Sequence, residues 1–372
     1  MMFAHLKPPT RAMFRASSES REAGGFNVAP AVGCGGDLDS DGGAGRFPSF
    51  LPKEVEKIKD PFARALARRI ERLPVKIGTS PSCIMSSCVK PMMRRQTSPL
   101  LLLHCFDSSC LEWRCTLPLL EEAGLEAWAV DVLGWGFSDL GRLPSCCVAS
   151  KRHHLYQFWK SHIKRPIVLV GPSLGASVAI DFSVNYPEAV EKMVLINPSV
   201  YTKGTGNLTM LPKMAAYAGV TLLGSIPLRL YANLIAFNST PASTIVDWTN
   251  VGRLHCLLPW WKDATVNFML SGGYNVVSQI KQVKHEVLIV SSEHDRIIDG
   301  ELALVSLPKA LIEQCRNDHE HDAINVDSMW FQRLLFDLPH ATMHQEPGCG
   351  HLPHVENPNI LAPLIADFSL AD

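Results

Sequence analysis

The sequence has 372 residues, of which 47% are hydrophobic and 19% are charged, so it can bury a substantial core. Its formal net charge of −1 provides no general electrostatic attraction to nucleic acids or anionic membranes. Nucleic-acid binding is therefore not expected. A membrane-spanning helix needs about 20 consecutive apolar residues. The sequence contains no such run, so we expect no transmembrane segment.

The eleven cysteines are scattered along the chain, which is typical of free thiols in a reducing compartment. Cys105, Cys110 and Cys115 recur every five residues, which is not the paired spacing of a zinc site. The stretch DHEHD (318–322) could mimic a metal cluster, but its composition favours a solvated loop. We expect no metal and no other cofactor.

The first 48 residues differ in composition from the rest. Lys7, Arg11 and Arg15 precede the first acidic residue, Glu19, and serines are clustered nearby. This composition is typical of an organelle transit peptide, and a plain disordered terminus is the alternative. We expect residues 1–48 to form a disordered, transit-peptide-like terminus and a glycine-rich linker.

Residues 49–98 are predicted to contain an N-terminal helix and a connector. Asp60 followed by Pro61 is a favoured pair for an N-cap and a first helical turn. Apolar residues then recur at helical spacing, at Phe62, Leu66, Ile70 and Leu73.

From residue 99 onward, short apolar runs alternate with helix-like segments. Continuous apolar strands separated by helices predict an α/β fold, with a mostly parallel sheet covered by helices on both faces. We expect its core to span residues 99–199 and 285–372, with ligands at the carboxyl ends of the strands. The predicted strands are 100–104, 127–131, 167–171, 192–196, 286–291 and 341–345.

Residues 200–284 lack clear strands and are rich in leucine and aromatic residues. They are predicted to form a helical lid over the strand ends, with an apolar substrate pocket beneath it. In the alternative interpretation, the aromatic residues only pack the lid against the core. The candidate pocket residues are Trp248, Trp260, Trp261, Tyr217 and Phe268.

The stretch VGPSLGASVAI (170–180) places Ser173 between a predicted strand and a predicted helix. A nucleophile on such a sharp turn needs small residues two positions before and after it, and Gly171 and Gly175 satisfy this. The start of the helix also directs backbone N–H groups towards a developing oxyanion. Ser173 is therefore a candidate nucleophile, whereas a structural serine in a turn is the alternative.

A serine nucleophile needs a base, and His351 lies in the glycine-flanked loop GCGH after the last predicted strand. His354 follows three residues later, where the chain is expected to turn into a helix. We therefore favour His351 as the base.

The base in turn needs an acid to orient it. Asn197 ends one predicted strand but carries no charge, whereas Asp295 follows the strand 286–291. Asp295 is the favoured acid. Weaker candidates are Glu293 and Asp299.

Five motifs together resemble those of the α/β-hydrolase superfamily, in the same order and over about residues 95–370. The chain is most similar to lid-bearing hydrolases of the plant plastid type, which implies a chloroplast location, with the mitochondrion or cytoplasm as alternatives. The motifs are LLLHCFDSSCLEW, DVLGWGFSD, GPSLG, SEHDRII and GCGHLPHVENP.

The resemblance implies a Ser173–His351–Asp295 triad and an oxyanion hole formed by the backbone N–H groups of Phe106 and Leu174. It implies a serine hydrolase that cleaves an ester or related acyl bond of an apolar small molecule. The alternative is a ligand receptor, or a catalytically weakened interaction protein with the same fold.

Two departures from the family pattern favour that alternative. The family usually has glycine after the histidine that precedes its oxyanion residue, and here Cys105 follows His104. A side chain there would strain a backbone that requires glycine. The interval from Asp295 to His351 is also long, because 307–332 is predicted to be extra material.

Overall fold

The computed structural model describes residues 46–77, 83–298 and 326–371. The transit-peptide-like terminus and most of the glycine-rich linker lie outside these described residues. The same holds for Asp299, for DHEHD and for residues 307–325 of the predicted extra material.

Eight strands form one sheet in the order β1-β2-β4-β3-β5-β6-β7-β8. β1 pairs with β2, and β2 with β4, in antiparallel orientation, whereas all the other neighbours are parallel. The carboxyl ends of β5 to β8 therefore lie side by side. The strands are β1 (Ile70–Lys76), β2 (Cys83–Val89), β3 (Leu100–Leu102), β4 (Ala127–Val130), β5 (Ile167–Pro172), β6 (Val190–Ile196), β7 (Glu286–Ser292) and β8 (Ala341–Glu346).

The helix predicted from Phe62 to Leu73 ends early, at Arg68. Asp60 caps it as expected, because its side chain accepts hydrogen bonds from the N–H groups of Phe62 and Ala63. The prediction was wrong beyond Arg68, since Pro74 would break a helix and the chain instead enters β1. The described α-helices are α1 (Pro61–Arg68), α2 (Thr116–Glu122), α3 (Val148–Phe158), α4 (Leu174–Asn185), α5 (Lys213–Leu223), α6 (Ile226–Ala236), α7 (Ala242–Arg253), α8 (Trp261–Leu270), α9 (Val326–Asp337), α10 (Pro353–Glu356) and α11 (Pro358–Leu370).

The core has two parts, one on each face of the sheet. Successive residues of a strand point to opposite faces, so Leu101 and Leu169 belong to one apolar cluster, and Leu100 and Val168 to the other. Side chains of α3 and α4 complete the first cluster, and those of α1, α2 and α11 complete the second. The predicted α/β fold, with helices on both faces of a mostly parallel sheet, is confirmed.

Residues 49–98, which were expected to hold a helix and a connector, also contribute β1 and β2 to the sheet. The sequence of β2 does not indicate a buried strand, because its fully buried residues include the polar Ser86 and Ser87. Ser87 Oγ contacts the Asp131 carboxylate and lies 3.1 Å from Ser138 Oγ. These hydrogen bonds compensate for removing the hydroxyl from water.

Helices α5 to α8 lie between β6 and β7, and we call residues 200–284 the helical insertion. α5 packs against α8, and α6 packs against α7. Across the described ranges, no single helix has the length and apolar composition to cross a membrane, and α5 with α6 meets those criteria only as a pair bent by 67°.

Candidate active site

Ser173 occupies a strained turn between β5 and α4. Its backbone has φ 51° and ψ −117°, a conformation that costs a non-glycine residue about 1–3 kcal/mol. The turn is held by hydrogen bonds from Ser173 N to Ile196 O (2.8 Å) and from Ser199 N to Ser173 O (3.2 Å). This is the sharp strand-to-helix geometry that the sequence predicts for a nucleophile.

The two glycines around Ser173 have little room for a side chain. A Cβ atom at Gly171 would lie 2.3 Å from Gly175 O, and one at Gly175 would lie 3.0 Å from His104 O. Both contacts are with backbone atoms, which cannot rotate away. The close packing of β5 against α4 therefore requires glycine at position 171, whereas a side chain at position 175 would have to displace its neighbours by a few tenths of an ångström.

Gly171→Ala is expected to lower the free energy of unfolding by at least about 1–3 kcal/mol, because the new methyl group overlaps the backbone. Gly219→Ala is the matched control, since Gly219 lies in α5 and a methyl group there would meet no neighbouring group within 4 Å. Alanine favours helix over glycine by up to about 1 kcal/mol, so this variant should be slightly more stable than the parent. Urea unfolding of both variants measures the difference, and equal effects would contradict the packing argument.

His351 and Asp295 are brought together although 56 residues separate them in the chain. His351 Nδ1 lies 2.7 Å from Asp295 Oδ2, and both side chains are at least nine-tenths buried. Asp295 Oδ1 in turn accepts hydrogen bonds from the N–H groups of Ile297 and Ile298. A neutral imidazole that donates from Nδ1 to this carboxylate has its Nε2 lone pair available to act as a base.

The other candidates for acid and base have different partners. Glu293 accepts a hydrogen bond from Gly348 N (3.0 Å), and its side chain is half exposed. His354 is fully buried, and its Nε2 lies 3.0 Å from Glu112 Oε1. Within the described ranges, Ser173 Oγ makes no hydrogen bond, so its bond to His351 Nε2 is not formed in this structure.

The two backbone N–H groups predicted to form an oxyanion hole, those of Phe106 and Leu174, are not used in any hydrogen bond between described residues. His104 fixes the direction of the Phe106 N–H group. His104 Nδ1 lies 2.7 Å from Cys105 O, which belongs to the same rigid peptide unit as Phe106 N. His104 Nε2 accepts from Val132 N (3.0 Å), so the ring is held at both nitrogens.

Cys105 does not occupy a backbone conformation that requires glycine. The described non-glycine residues with positive φ are Asp107 (φ 50°), Lys164 (φ 64°), Ser173 (φ 51°) and Asn197 (φ 40°), and Cys105 is not among them. The strain that we expected from a side chain at Cys105 is therefore absent. Burial and the nearby Glu112 carboxylate raise the pKa of the Cys105 thiol well above its ordinary value, so the thiol is neutral.

A model of the alpha/beta hydrolase family matches residues 100–364, which is well over half of the chain. The chain belongs to the alpha/beta hydrolase family. The superfamily to which the five motifs pointed is therefore confirmed.

The plant relative "Alpha/beta hydrolase domain-containing protein VTE7" of Arabidopsis thaliana is 56% identical over 326 residues, which cover 87% of this chain and 90% of that protein. A more distant relative, "Uncharacterized hydrolase YugF" of Bacillus subtilis, is 23% identical over 278 residues, which cover 74% of this chain and 90% of that protein. The hydrolase family is thus shared with a plant protein and with a bacterial one.

Solved structures share the fold at low sequence identity. A thermophilic esterase from Thermogutta terrifontis superposes with a TM-score of 0.61 at 15% identity, covering 80% of this chain and 97% of that chain. The 2-hydroxy-6-oxo-6-phenylhexa-2,4-dienoate hydrolase of Rhodococcus sp. strain RHA1 has a TM-score of 0.56 at 17% identity, covering 81% and 98%. At these identities the likeness concerns the hydrolase fold alone.

Of the five aromatic residues predicted to line a pocket in this hydrolase, Phe268 packs beside the oxyanion candidate. Its ring centroid lies 6.3 Å from that of Phe106 and 5.0 Å from that of Trp135. Phe106 and Trp135 meet edge to face at 5.2 Å, so the three rings form an apolar wall at the candidate site.

The other four aromatic residues are not gathered into one pocket. Trp248 belongs to an apolar cluster with Phe237, and Trp260 packs against a separate cluster that contains Leu133. Their polar or cation–π partners also differ: Trp261 contacts Asp107, Tyr217 contacts Asp263, Trp248 contacts Arg114 and Trp260 contacts Arg72.

Asn197, which we rejected as the acid, connects the loops of the candidate triad by hydrogen bonds. It lies just after β6 with φ 40°, a conformation that asparagine tolerates better than most residues. Its amide nitrogen donates to the backbone oxygens of Gly350 (3.3 Å) and His351 (2.9 Å), and its amide oxygen accepts from Ser292 N (2.8 Å). We therefore assign Asn197 as a positioning residue.

Glu112 links residues 104–107, which we call the oxyanion loop because they include the oxyanion candidate Phe106, to His354 in α10. Its carboxylate accepts from Cys105 N at 3.1–3.2 Å and pairs with His354 Nε2 at 3.0 Å. Burial opposes its charge, but the hydrogen bond and charge of His354 outweigh this and lower the pKa of Glu112 to about 2. No local pattern in the sequence marks this role, because the partners of Glu112 lie up to 242 residues away.

Asp107 anchors the oxyanion loop to the helical insertion. Arg229 of α6 forms an ion pair with its carboxylate, Trp261 Nε1 donates to it (2.7 Å), and His255 Nε2 lies 3.1 Å away. Burial opposes the charge of Asp107, but these neighbours outweigh it and lower its pKa. α6 also contacts the loop of His351, since Ala236 O accepts a hydrogen bond from His351 N (2.7 Å).

Two groups of three described side chains have possible ligand atoms within 4.8 Å of one another, as a metal site would require. In both groups these atoms already hydrogen-bond to each other, as Glu112 does with His354 and Asp107 with His255. The geometry therefore fits two buried hydrogen-bonded pairs. The groups are Cys105, Glu112 and His354, and Asp107, His255 and Cys256.

Proposed function

We propose that this protein is a serine hydrolase that cleaves an ester or related acyl bond of an apolar small molecule. The observation that carries the proposal is the 2.7 Å contact of His351 Nδ1 with Asp295 Oδ2, taken together with the strained turn of Ser173. An imidazole oriented by a carboxylate and a serine on such a turn are the groups that a hydroxyl nucleophile needs for its activation.

In the first half of the reaction, Ser173 Oγ attacks the acyl carbon while His351 Nε2 takes its proton. The negative charge on the acyl oxygen is stabilised by the N–H groups of Phe106 and Leu174. Collapse of this intermediate releases the alcohol, which receives the proton from His351, and leaves Ser173 acylated.

In the second half, His351 Nε2 takes a proton from water, whose oxygen attacks the same carbon. The proton then returns to Ser173 Oγ as the carboxylic acid leaves. Asp295 stabilises the imidazolium in both halves. The wall formed by Phe106, Trp135 and Phe268 supports an apolar substrate.

We also propose a chloroplast location. The basic, serine-rich composition of the first residues supports it, as does the similarity to a protein of Arabidopsis thaliana.

A fluorophosphonate probe, which reacts with activated serines, tests the proposal. The parent protein is expected to be labelled and Ser173→Ala is not. Ser177→Ala is the matched control, because Ser177 lies in α4 with its hydroxyl donating to Ser199 O (2.8 Å), and it should be labelled like the parent. No labelling of the folded parent would instead favour a ligand receptor or a weakened interaction protein.

A further inference from the structure

Large apolar side chains are concentrated on the outside of the helical insertion. Nine of the eighteen that are exposed in the described ranges lie between Leu208 and Leu234. Met210 and Met214 are each more than four-fifths exposed. Contiguous exposed apolar surface is unusual on a protein that has no partner. We call this set the outer apolar surface: Leu208, Met210, Leu211, Met214, Leu222, Ile226, Leu228, Tyr231 and Leu234.

The stretch of sequence that carries the outer apolar surface has charges of one sign. No carboxylate occurs between Glu191 and Asp247, whereas four basic residues do. Two of them, Lys203 and Lys213, are exposed. The net charge of −1 for the whole chain conceals this asymmetry because it is local.

The orientation of α6 suits contact with a surface outside the protein. Arg229, Asn233 and Ala236 recur at helical spacing and face inward, where they bind Asp107, Thr249 and the N–H group of His351. Tyr231 and Leu234 lie on the opposite side of the helix, 61% and 48% exposed. Since the inner face is held by the core and α5 with α6 bends by 67°, the pair suits lying on a membrane rather than crossing it.

We propose that the outer apolar surface docks on a lipid bilayer that carries anionic headgroups. The apolar side chains enter the boundary between headgroups and acyl chains, and Lys203 and Lys213 contact the headgroups. A second copy of the chain fits less well. A symmetric dimer through this surface would bring the lysines of both copies together, and residues 192–246 supply no carboxylate to pair with them. The proposal does not depend on catalysis.

Flotation of the full chain with vesicles tests the proposal. Vesicles of phosphatidylcholine with about 30% phosphatidylglycerol are expected to bind the parent protein, and phosphatidylcholine alone to bind it several-fold less. The triple variant Met214→Gln, Leu228→Gln, Leu234→Gln should need at least about tenfold more lipid for half-binding, because three apolar side chains no longer enter the bilayer.

The matched control is the triple variant Met92→Gln, Ile360→Gln, Leu370→Gln, whose side chains are 75%, 50% and 50% exposed outside the insertion. It should bind like the parent. Failure of the parent to float, or equal losses in both triple variants, would overturn the proposal. The proposal would also be overturned if sedimentation velocity showed that the parent is a dimer and that the first triple variant is a monomer that floats like the parent. Ser173→Ala should float like the parent, which separates this result from that of the fluorophosphonate test.

Discussion

Asp295→Asn is expected to lower kcat for hydrolysis of a p-nitrophenyl ester by roughly 10³–10⁴-fold. The amide would present an N–H group to His351 Nδ1 or fail to stabilise the imidazolium, so Nε2 would no longer accept the serine proton efficiently. KM should change much less, because Asp295 contacts His351 and not the substrate in the proposed mechanism. Steady-state kinetics of the purified variant measure both values.

Glu293→Gln is the matched control for this prediction. Glu293 is two residues away, and its carboxylate bonds to Gly348 N and not to His351 Nδ1. The glutamine side chain keeps an oxygen that can accept this bond, so kcat should stay within about threefold of the parent. A large loss in Glu293→Gln with little loss in Asp295→Asn would show that the acid has been misassigned.

Asp107→Ala is expected to lower the free energy of unfolding by about 3–5 kcal/mol. The variant leaves the Arg229 guanidinium and the fully buried His255 without their carboxylate, and removing one partner of a buried ion pair typically costs that much. Asp263→Ala removes an exposed carboxylate of the same insertion and should cost less than about 1 kcal/mol. Urea unfolding measures both, and similar small losses would contradict a stabilising role for the Asp107 network.

The same network predicts a pH dependence of stability. Burial opposes the charge of His255, but nearby Cys256 and Asp107 outweigh it and raise its pKa to about 9. A histidine whose pKa is higher in the folded state stabilises fully below its unfolded pKa of about 6.5. That stability should be lost as the pH rises from about 6.5 to about 9. Asp107→Asn should flatten this dependence.

Most of the sheet could be predicted from the sequence, because strands buried on both faces are continuous apolar runs. β5 and β7 illustrate this, since each run is interrupted by no charged residue and ends at a turn. β1 and β2 could not be predicted. In β1, the apolar positions Ile70 and Leu73 fit a helical spacing equally well. In β2, the burial of Ser87 depends on Asp131, a partner 44 residues further along the chain.

The candidate triad could be predicted for a related reason. Ser173, Asp295 and His351 each follow a strand that the sequence reveals, and the carboxyl ends of parallel strands meet at one edge of the sheet. Asn197, Glu112 and Asp107 act instead through partners that are distant in the chain, and no local pattern marks them. The aromatic residues of the insertion were grouped by composition alone, which does not distinguish a pocket from packing.

Helix α6 has a consequence for protein engineering. Its Arg229 binds Asp107, and the carbonyl of Ala236, seven residues or about two turns later, accepts a hydrogen bond from the N–H group of the candidate base His351. The insertion is therefore not an interchangeable cap that can be grafted from one homologue to another by matching its ends. A chimera would have to retain both contacts at that separation, or the recipient scaffold would lose the alignment of its reacting groups.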